Sequence, residues 1–464
     1  MLKKQKPSRS VAKARSRRED FFLAQFLRLC AFARSFSLRY FVIIIWSLIV
    51  ASAWAGTEEF TINGLKVVLK KNTANEVVVA QLYIRGGVLN LTPELAGVEP
   101  LLFDAAKQGT AKYPKEKINA ELARMGTQIG NDVTRDYSVA QMRCVRTYFD
   151  LSWDIFSEVI LKPTLDPQEI ELSREQLITA LRQRQDNPDS YLEWLGETRF
   201  YKDHPYALDP LGSAASVSKI TIDQMRQYLK DNLLTSRLLL VVVGNIDKAE
   251  LQSKVASTFG QLPMGNYQPQ PPRMVKHERA SIYTEAQQLP TNYIVGYFAA
   301  PGLRDKDYYA MRTAVGILND RFFEEVRTKR NLSYAPSAEL EDWFANYGRL
   351  YVTTVSPDTT IKVMLAEVRR VQNRLLQAGA LGGRINLANT SYYLENETNL
   401  AQATFLGRFE LSGAGWKASE KFVKNRTKVT PEQIMEAALR YMNNIQFVVI
   451  GDPAAIDEKL FTSQ

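Results

Sequence analysis

Two stretches separated by nearly half the chain repeat one plan, and that repetition limits the fold more than any other feature. "ITIDQMRQYLKDNLLTSRLLLVVVGNID" (220–247) and "VTPEQIMEAALRYMNNIQFVVIGDPAA" (429–455) each place a Thr three residues before a Gln, then an amphipathic run, then an apolar run ending in Gly-Asn or Gly-Asp. The Thr-x-x-Gln spacing is that of a capping box, which satisfies orphan backbone donors at a helix start. Thr221 and Thr430 are 209 residues apart, and Gly244 and Gly451 are 207 apart. Offsets so nearly equal point to an internal duplication.

Each copy also opens with strand-like sequence. "GLKVVLKKNTANEVVVAQLYIRGG" (64–87) is predicted to be a hairpin turning at Asn72-Thr73-Ala74-Asn75 between β-branched runs, and "TNYIVGYFAAPG" (291–302) is its counterpart. Helical periodicity lies between, as in "IKVMLAEVRRVQNRLLQAG" (361–379), where Val363, Val368, Val371 and Leu375 favour one face. The predicted class is α+β: two homologous domains, each a mostly antiparallel sheet with helices packed on one face. A chain of 464 residues accommodates two domains of roughly 200 residues with separate cores. Residues 56–262 and 276–464 are the predicted domains, joined by the Pro- and Gly-rich stretch 263–275.

The formal charge of +9 belongs to the leader. Residues 1–55 hold 11 Lys/Arg and 2 Asp/Glu, which leaves 48 of each sign in the body. A neutral body carries no nucleic-acid stripe, and no nucleic-acid partner is expected. The leader combines a basic run, the apolar stretch "YFVIIIWSLIV" and Ala53-Trp54-Ala55, the small-x-small pattern of a signal-peptidase site. It reads as a signal peptide cleaved after Ala55, which makes the mature protein periplasmic, with no membrane contact after cleavage. The apolar stretch is short against the about 20 residues of a stable span. Two alternatives stay open: a mitochondrial transit peptide over the acid-poor 21–39, and a twin-arginine signal at Arg17-Arg18. Beyond the leader only Cys144 remains, in an alternating strand-like run, and it is expected to be a buried structural thiol.

Four further segments carry a resemblance. "GVEPLLFDAAKQGT" (97–110), "LARMGTQIGNDVTRDYSVAQMRCV" (122–145), "HPYALDPLGS" (204–213) and "FFEEVRTKRNLSYAPSAEL" (322–340) together resemble the pitrilysin/insulinase family of zinc metallopeptidases, over most of the mature chain. The family's metal helix is Gly-x-x-His-x-x-Glu-His followed by Lys-Gly-Thr. Its two His hold Zn²⁺ and its Glu is the general base. Laid without a gap on Gly97 and Gly109-Thr110, the first His falls on Pro100, the Glu on Phe103 and the second His on Asp104. The family's third ligand, a Glu, falls on Thr179 or Ala180.

Composition bears on the same point. The chain has two histidines, His204 and His277, and His204 is a predicted loop residue. Carboxylates such as Glu99 and Asp104 suit Ca²⁺ or Mg²⁺ better than a hydrolytic zinc, and acids near a helix start are more simply explained by the helix dipole. No metal or other cofactor is expected in this chain.

The resemblance implies more for the second half. Arg327 and Tyr334, with Leu332 between them, match the family's Arg and Tyr that reach the substrate backbone from the domain facing the zinc. A guanidinium and a phenol both donate hydrogen bonds, as a peptide carbonyl or its oxyanion needs. The competing structural reading pairs Arg327 with Glu324 along a helix and uses Tyr334 to cap a core. The family's Gly-rich turn before this motif is reduced to Gly316. Some family enzymes pair a zinc subunit with a zinc-less one that supplies the Arg and Tyr across an enclosed, clamshell-like chamber. The resemblance implies a chain of that second kind, with a zinc-bearing homologous subunit as heterodimer partner and a peptide or unfolded polypeptide as substrate. A peptidase-derived scaffold protein and a stand-alone peptide-binding protein are the alternatives.

Overall fold

The computed structural model describes residues 56–463, which belong to one compact unit, Gly56–Gln464. The signal-peptide reading falls on residues 1–55, outside the described residues. The first sheet contains β1 (Thr57–Ile62), β2 (Leu65–Lys71), β3 (Val77–Arg85), β4 (Gln128–Val133), β5 (Tyr137–Val145) and β6 (Leu238–Gly244), in the order β1-β2-β6-β3-β5-β4. The second contains β7 (Ser281–Ala286), β8 (Asn292–Ala299), β9 (Ser337–Leu340), β10 (Tyr347–Thr354) and β11 (Gln446–Gly451), in the order β7-β11-β8-β10-β9. Without β1 the two orders are the same. Each sheet has one parallel pair, β2 with β6 and β7 with β11, and is otherwise antiparallel. The duplication read from the two capping boxes therefore extends to topology.

The helices used below are, in chain order, α1 (Val98–Ala106), α2 (Phe149–Leu161), α3 (Pro167–Asp186), α4 (Pro188–Phe200), α5 (Ile222–Asn232), α6 (Tyr308–Phe322), α7 (Pro357–Asn373), α8 (Ala378–Glu395), α9 (Asn399–Leu411) and α10 (Pro431–Tyr441). Both predicted capping boxes form. Thr221 and Gln224 bond reciprocally at the start of α5, and Thr430 and Gln433 do so at the start of α10.

The predicted hairpin at 64–87 does not form. Strand β6 lies between β2 and β3, so Leu69 and Ala80 face Val242 from opposite sides. All seven residues of β6 are buried, and an all-apolar strand belongs at a sheet centre, where both faces are covered. The Asn72–Asn75 segment crosses over this strand, with Asn72 and Asn75 side chains accepting from the backbone of Ala74 and Val77. The hairpin of this region is β1 with β2, turning at Asn63-Gly64 with φ of 45° and 84°. Asn-Gly is the preferred pair for such a two-residue turn.

In the second half the helix predicted over 361–379 runs from Pro357 to Asn373 instead. Its buried stripe is Ile361, Met364, Leu365, Val368 and Val371, whereas Val363 is half-buried and Leu375 lies beyond the helix, exposed. Pro357 in the first turn fixes the start, where its missing N–H costs nothing.

Helices of each half cover one face of their own sheet. Phe149, Trp153, Phe156 and Ile160 of α2 pack on the first sheet, and α6, α7 and α10 pack on the second. The opposite faces are covered reciprocally. From the second half, Ala403, Leu406 and Leu411 of α9 pack on Val79, Tyr83 and Val241 of the first sheet. From the first half, Leu192, Leu195 and Phe200 of α4 pack on Val295, Tyr297 and Val448 of the second. A buried side chain of this size contributes about 1.5–3 kcal/mol, so the exchanged helices make the halves interdependent. Gly407 is the closest approach in α9: a Cβ there would lie 2.5 Å from the Tyr83 hydroxyl. Gly407→Val should therefore lower stability by about 1–3 kcal/mol through overpacking, read from urea denaturation midpoints.

Candidate functional site

The frame of the metal helix is α1, capped by Gly97 at φ 92°. A Cβ at Gly97 would lie 2.6 Å from Val217 and 2.8 Å from the Leu211 carbonyl, so both the turn and the close packing require glycine. Val98, Leu101, Leu102 and Ala105 seat α1 against Ile170 of α3 and Met225 of α5. Pro100 is buried in the first turn, as a residue without a needed N–H can be. Phe103 is half-buried and packs against the core of the first sheet. Asp104 lies near the C-terminal end of α1, so the helix-start explanation does not hold for it. Lys107 satisfies it instead, with Nζ 2.8 Å from Oδ1 and 3.0 Å from Asn131 Oδ1.

Glu99 does stand in the first turn, but it is 1% exposed and does more than face a dipole. The hydroxyls of Ser138 and Tyr228 donate to its two oxygens, and burial pushes its carboxyl up. Thr179 and Ala180 are exposed on α3. These positions supply a pyrrolidine ring, a phenyl ring, a carboxylate already paired with an ammonium, and one hydroxyl or one methyl. That set does not fit a hydrolytic zinc. Among the described residues, no three His, Cys, Asp or Glu side chains group as metal ligands would. His204 caps a short helical turn by accepting from Tyr206 N–H. Cys144 is buried in β5, and burial pushes its thiol up to about 11.

Purified, chelator-free protein should carry far less than one zinc per chain by elemental analysis. Pro100→His, Phe103→Glu and Asp104→His together should not restore tight zinc, because Thr179 and Ala180 supply no carboxylate.

The second set of residues does come together. Helix α6 runs into a π-helical turn, Phe323–Thr328, in which Lys329 N–H reaches back to the Glu324 carbonyl at 2.9 Å. Such turns are rare and often mark functional sites. Asn331 at φ 50° then reverses the chain and returns Tyr334 over Arg327. The Arg327 guanidinium carbon lies 4.1 Å from the Tyr334 ring centroid and 4.7 Å from that of Phe323. Two aromatic faces thus hold the cation while its in-plane N–H donors remain available.

Neither part of the competing structural reading holds. Glu324 pairs with Lys329 at 2.7 Å, and Arg327 has no carboxylate partner among the described residues. Tyr334 is 78% exposed and caps no core. Lys329 and Arg330 also bond Glu325, holding its carboxyl down at about 2 and fixing the turn's inner side. Sequence reasoning missed the Phe323 stack, for which the four-residue spacing from Arg327 was an available signal. No hydrogen bond, ion pair or ring contact among the described residues joins Arg327 or Tyr334 to Pro100, Phe103 or Asp104.

A duplicated α+β pair, with a metal-helix frame in the first half and an Arg–Tyr turn in the second, defines a peptidase fold of the insulinase type. The chain belongs to that family: residues 66–212 match insulinase (peptidase family M16), and residues 219–381 match the peptidase M16 inactive domain. It is 23% identical over 413 residues to an uncharacterized zinc protease of Mycobacterium leprae, covering 86% of this chain and 92% of that protein. It is 20% identical over 422 residues to the mitochondrial-processing peptidase subunit beta of Saccharomyces cerevisiae, covering 85% and 90%. Among solved structures, a peptidase M16 inactive domain from Pseudomonas fluorescens superposes with a TM-score of 0.79 at 19% identity, covering 86% of this chain and 98% of that one. A protease from Helicobacter pylori superposes with a TM-score of 0.77 at 15% identity, covering 86% and 99%.

Proposed function

We propose that this chain is the non-catalytic subunit of a heterodimeric zinc peptidase, and that Arg327 and Tyr334 contact the substrate in the partner's active site. The observation that carries the reading is the Arg327 clamp. A guanidinium held between Phe323 and Tyr334 without a carboxylate is poised for an external acceptor, whereas Pro100, Phe103 and Asp104 offer no metal chemistry. Similarity to a protein named as a peptidase subunit supports pairing. Zinc then belongs to the partner, a homologue with an intact His-x-x-Glu-His helix, and the substrate is a peptide or unfolded polypeptide.

The test mixes purified chain with such a homologue from the same genome. Peptidase activity should rise on mixing, together with a complex of summed mass in light scattering. A stable assembly without peptidase activity would favour the scaffold alternative, and peptide binding by this chain alone would favour a stand-alone binder. The proposed compartment is the periplasm, and N-terminal sequencing of native protein should begin at or near Gly56. Among the described residues, no helix is long and apolar enough to cross a membrane.

A further inference from the structure

Six residues before Arg327, Arg321 lines a separate space. A cavity of about 300 Å³ opens where α6, the end of α7, the start of α8 and the first turn of α10 meet. Four arginines line it, Arg321, Arg370, Arg374 and Arg384, and no acidic side chain does. Arg384 pairs with Asp320 and Arg321 with Glu367, outside the lining. Arg370 and Arg374 have no ion-pair partner and donate no side-chain hydrogen bond among the described residues. Arg321 is committed to two carboxylates: besides Glu367, its buried Nη2 lies 3.7 Å from Glu325 Oε1. Apart from Gln377 the remaining wall is apolar, with Ile317, Val371, Leu376, Ile434 and Met435 among it.

Two unpaired guanidinium groups at the rim and a largely apolar floor describe the ligand by complementarity. Guanidinium groups fork onto carboxylates with two parallel hydrogen bonds, and an apolar wall selects what the carboxylate is attached to. The volume sits at the lower end of the about 300–1,000 Å³ range of small-molecule sites, which disfavours large polyanions. We propose that this cavity binds a small amphiphilic carboxylate, its head held by Arg370 and Arg374 and its short apolar chain against Leu376 and Met435. Two sources share that chemistry, a medium-chain fatty acid and the free C-terminus of a short peptide ending in an apolar residue. The inference does not depend on pairing with a zinc subunit.

Isothermal titration of the full chain with octanoate and with N-acetyl-leucine tests it, using octanol and N-acetyl-leucine amide as neutral controls. At least one carboxylate should bind, with its neutral analogue weaker by roughly tenfold or more, as loss of charge-assisted hydrogen bonds requires. Octanoate alone would identify a fatty-acid source and N-acetyl-leucine alone a peptide source. Arg370→Glu with Arg374→Glu should weaken binding by roughly tenfold or more, and Met435→Trp should block the apolar part. Both arginines are exposed, so the double variant should melt like the wild type. Arg369→Glu, a charge change at an exposed arginine outside the lining, should bind as the wild type does. Absence of binding by both carboxylates, equal binding of the neutral analogues, or unchanged binding by the double variant would overturn the proposal.

Discussion

Arg327→Ala should lower the turnover of the assembled peptidase by about 10²–10³-fold, or roughly 3–4 kcal/mol, the usual cost of removing one donor to a developing oxyanion. The melting temperature of the isolated chain should barely move. Arg327 makes no ion pair, and its stacking on Phe323 and Tyr334 is worth about 0.5–1 kcal/mol at an exposed site. Tyr334→Phe keeps the stacking face and removes only the hydroxyl, so it separates the donor from the clamp. If the phenol donates to the reacting carbonyl, this variant loses kcat. If the pair only holds the substrate, both variants raise KM and leave kcat largely intact. Arg327→Lys makes a third comparison, because an ammonium keeps the charge but loses the planar fork between the rings. Wild-type kinetics for all three variants, mixed with a wild-type zinc subunit, would defeat the active-site role.

What was legible in the sequence follows from how local each signal is. The capping boxes and the apolar runs after them lie within about thirty residues, and they located the duplication. Strand pairing is a different matter. Nothing in 64–87 announces that a strand from 238–244 will enter between its two runs, because both runs are apolar enough to accept a neighbour on either edge. The Asn63-Gly64 turn is a local signal, because Asn-Gly is the preferred pair for a two-residue hairpin turn. Pro100, Phe103 and Asp104 share one helix, as the metal-helix frame expects, but their environments and that of Glu99 are not local. Ser138 and Tyr228, which hold Glu99, are 39 and 129 residues away along the chain. Glu324, the partner that the competing structural reading names for Arg327, pairs with Lys329 instead, for a comparable reason. A π-helical turn and a left-handed Asn331 place Tyr334 beside Arg327, and neither departure from regular helix is visible in periodicity.

Asp136 carries the last prediction, which concerns the junction between the halves. It follows Arg135 and precedes Tyr137 at the start of β5. Tyr206 O–H donates to its Oδ1, and Phe344 N–H donates to its Oδ2 at 3.0 Å, so one carboxyl ties both halves. Arg135 beside it pairs with Glu197 at 2.9 Å and donates to the Tyr206 carbonyl at 2.8 Å, while Tyr347 O–H donates to Glu197 at 2.6 Å. Burial pushes the Asp136 carboxyl up to about 7, against the opposing pull of the Phe344 N–H, Arg135 and Arg408. A carboxyl raised on folding binds its proton more tightly in the native state than in the unfolded chain. Its contribution to stability is therefore complete below about pH 4 and is lost as pH rises through about 7. A shift of this size corresponds to at most about 4 kcal/mol across that window. Glu325, held down at about 2, changes its contribution below about pH 5 in both proteins, so it cancels from their difference. Asp136→Asn keeps the shape and hydrogen-bonding capacity without the titration. The difference in unfolding free energy between wild type and Asp136→Asn should shift by up to about 4 kcal/mol between pH 4 and 8, with the wild type losing ground as pH rises. Urea unfolding at several pH values measures it. Parallel curves for the two proteins would mean that Asp136 is ionised throughout, its charge carried by Arg135 and Arg408.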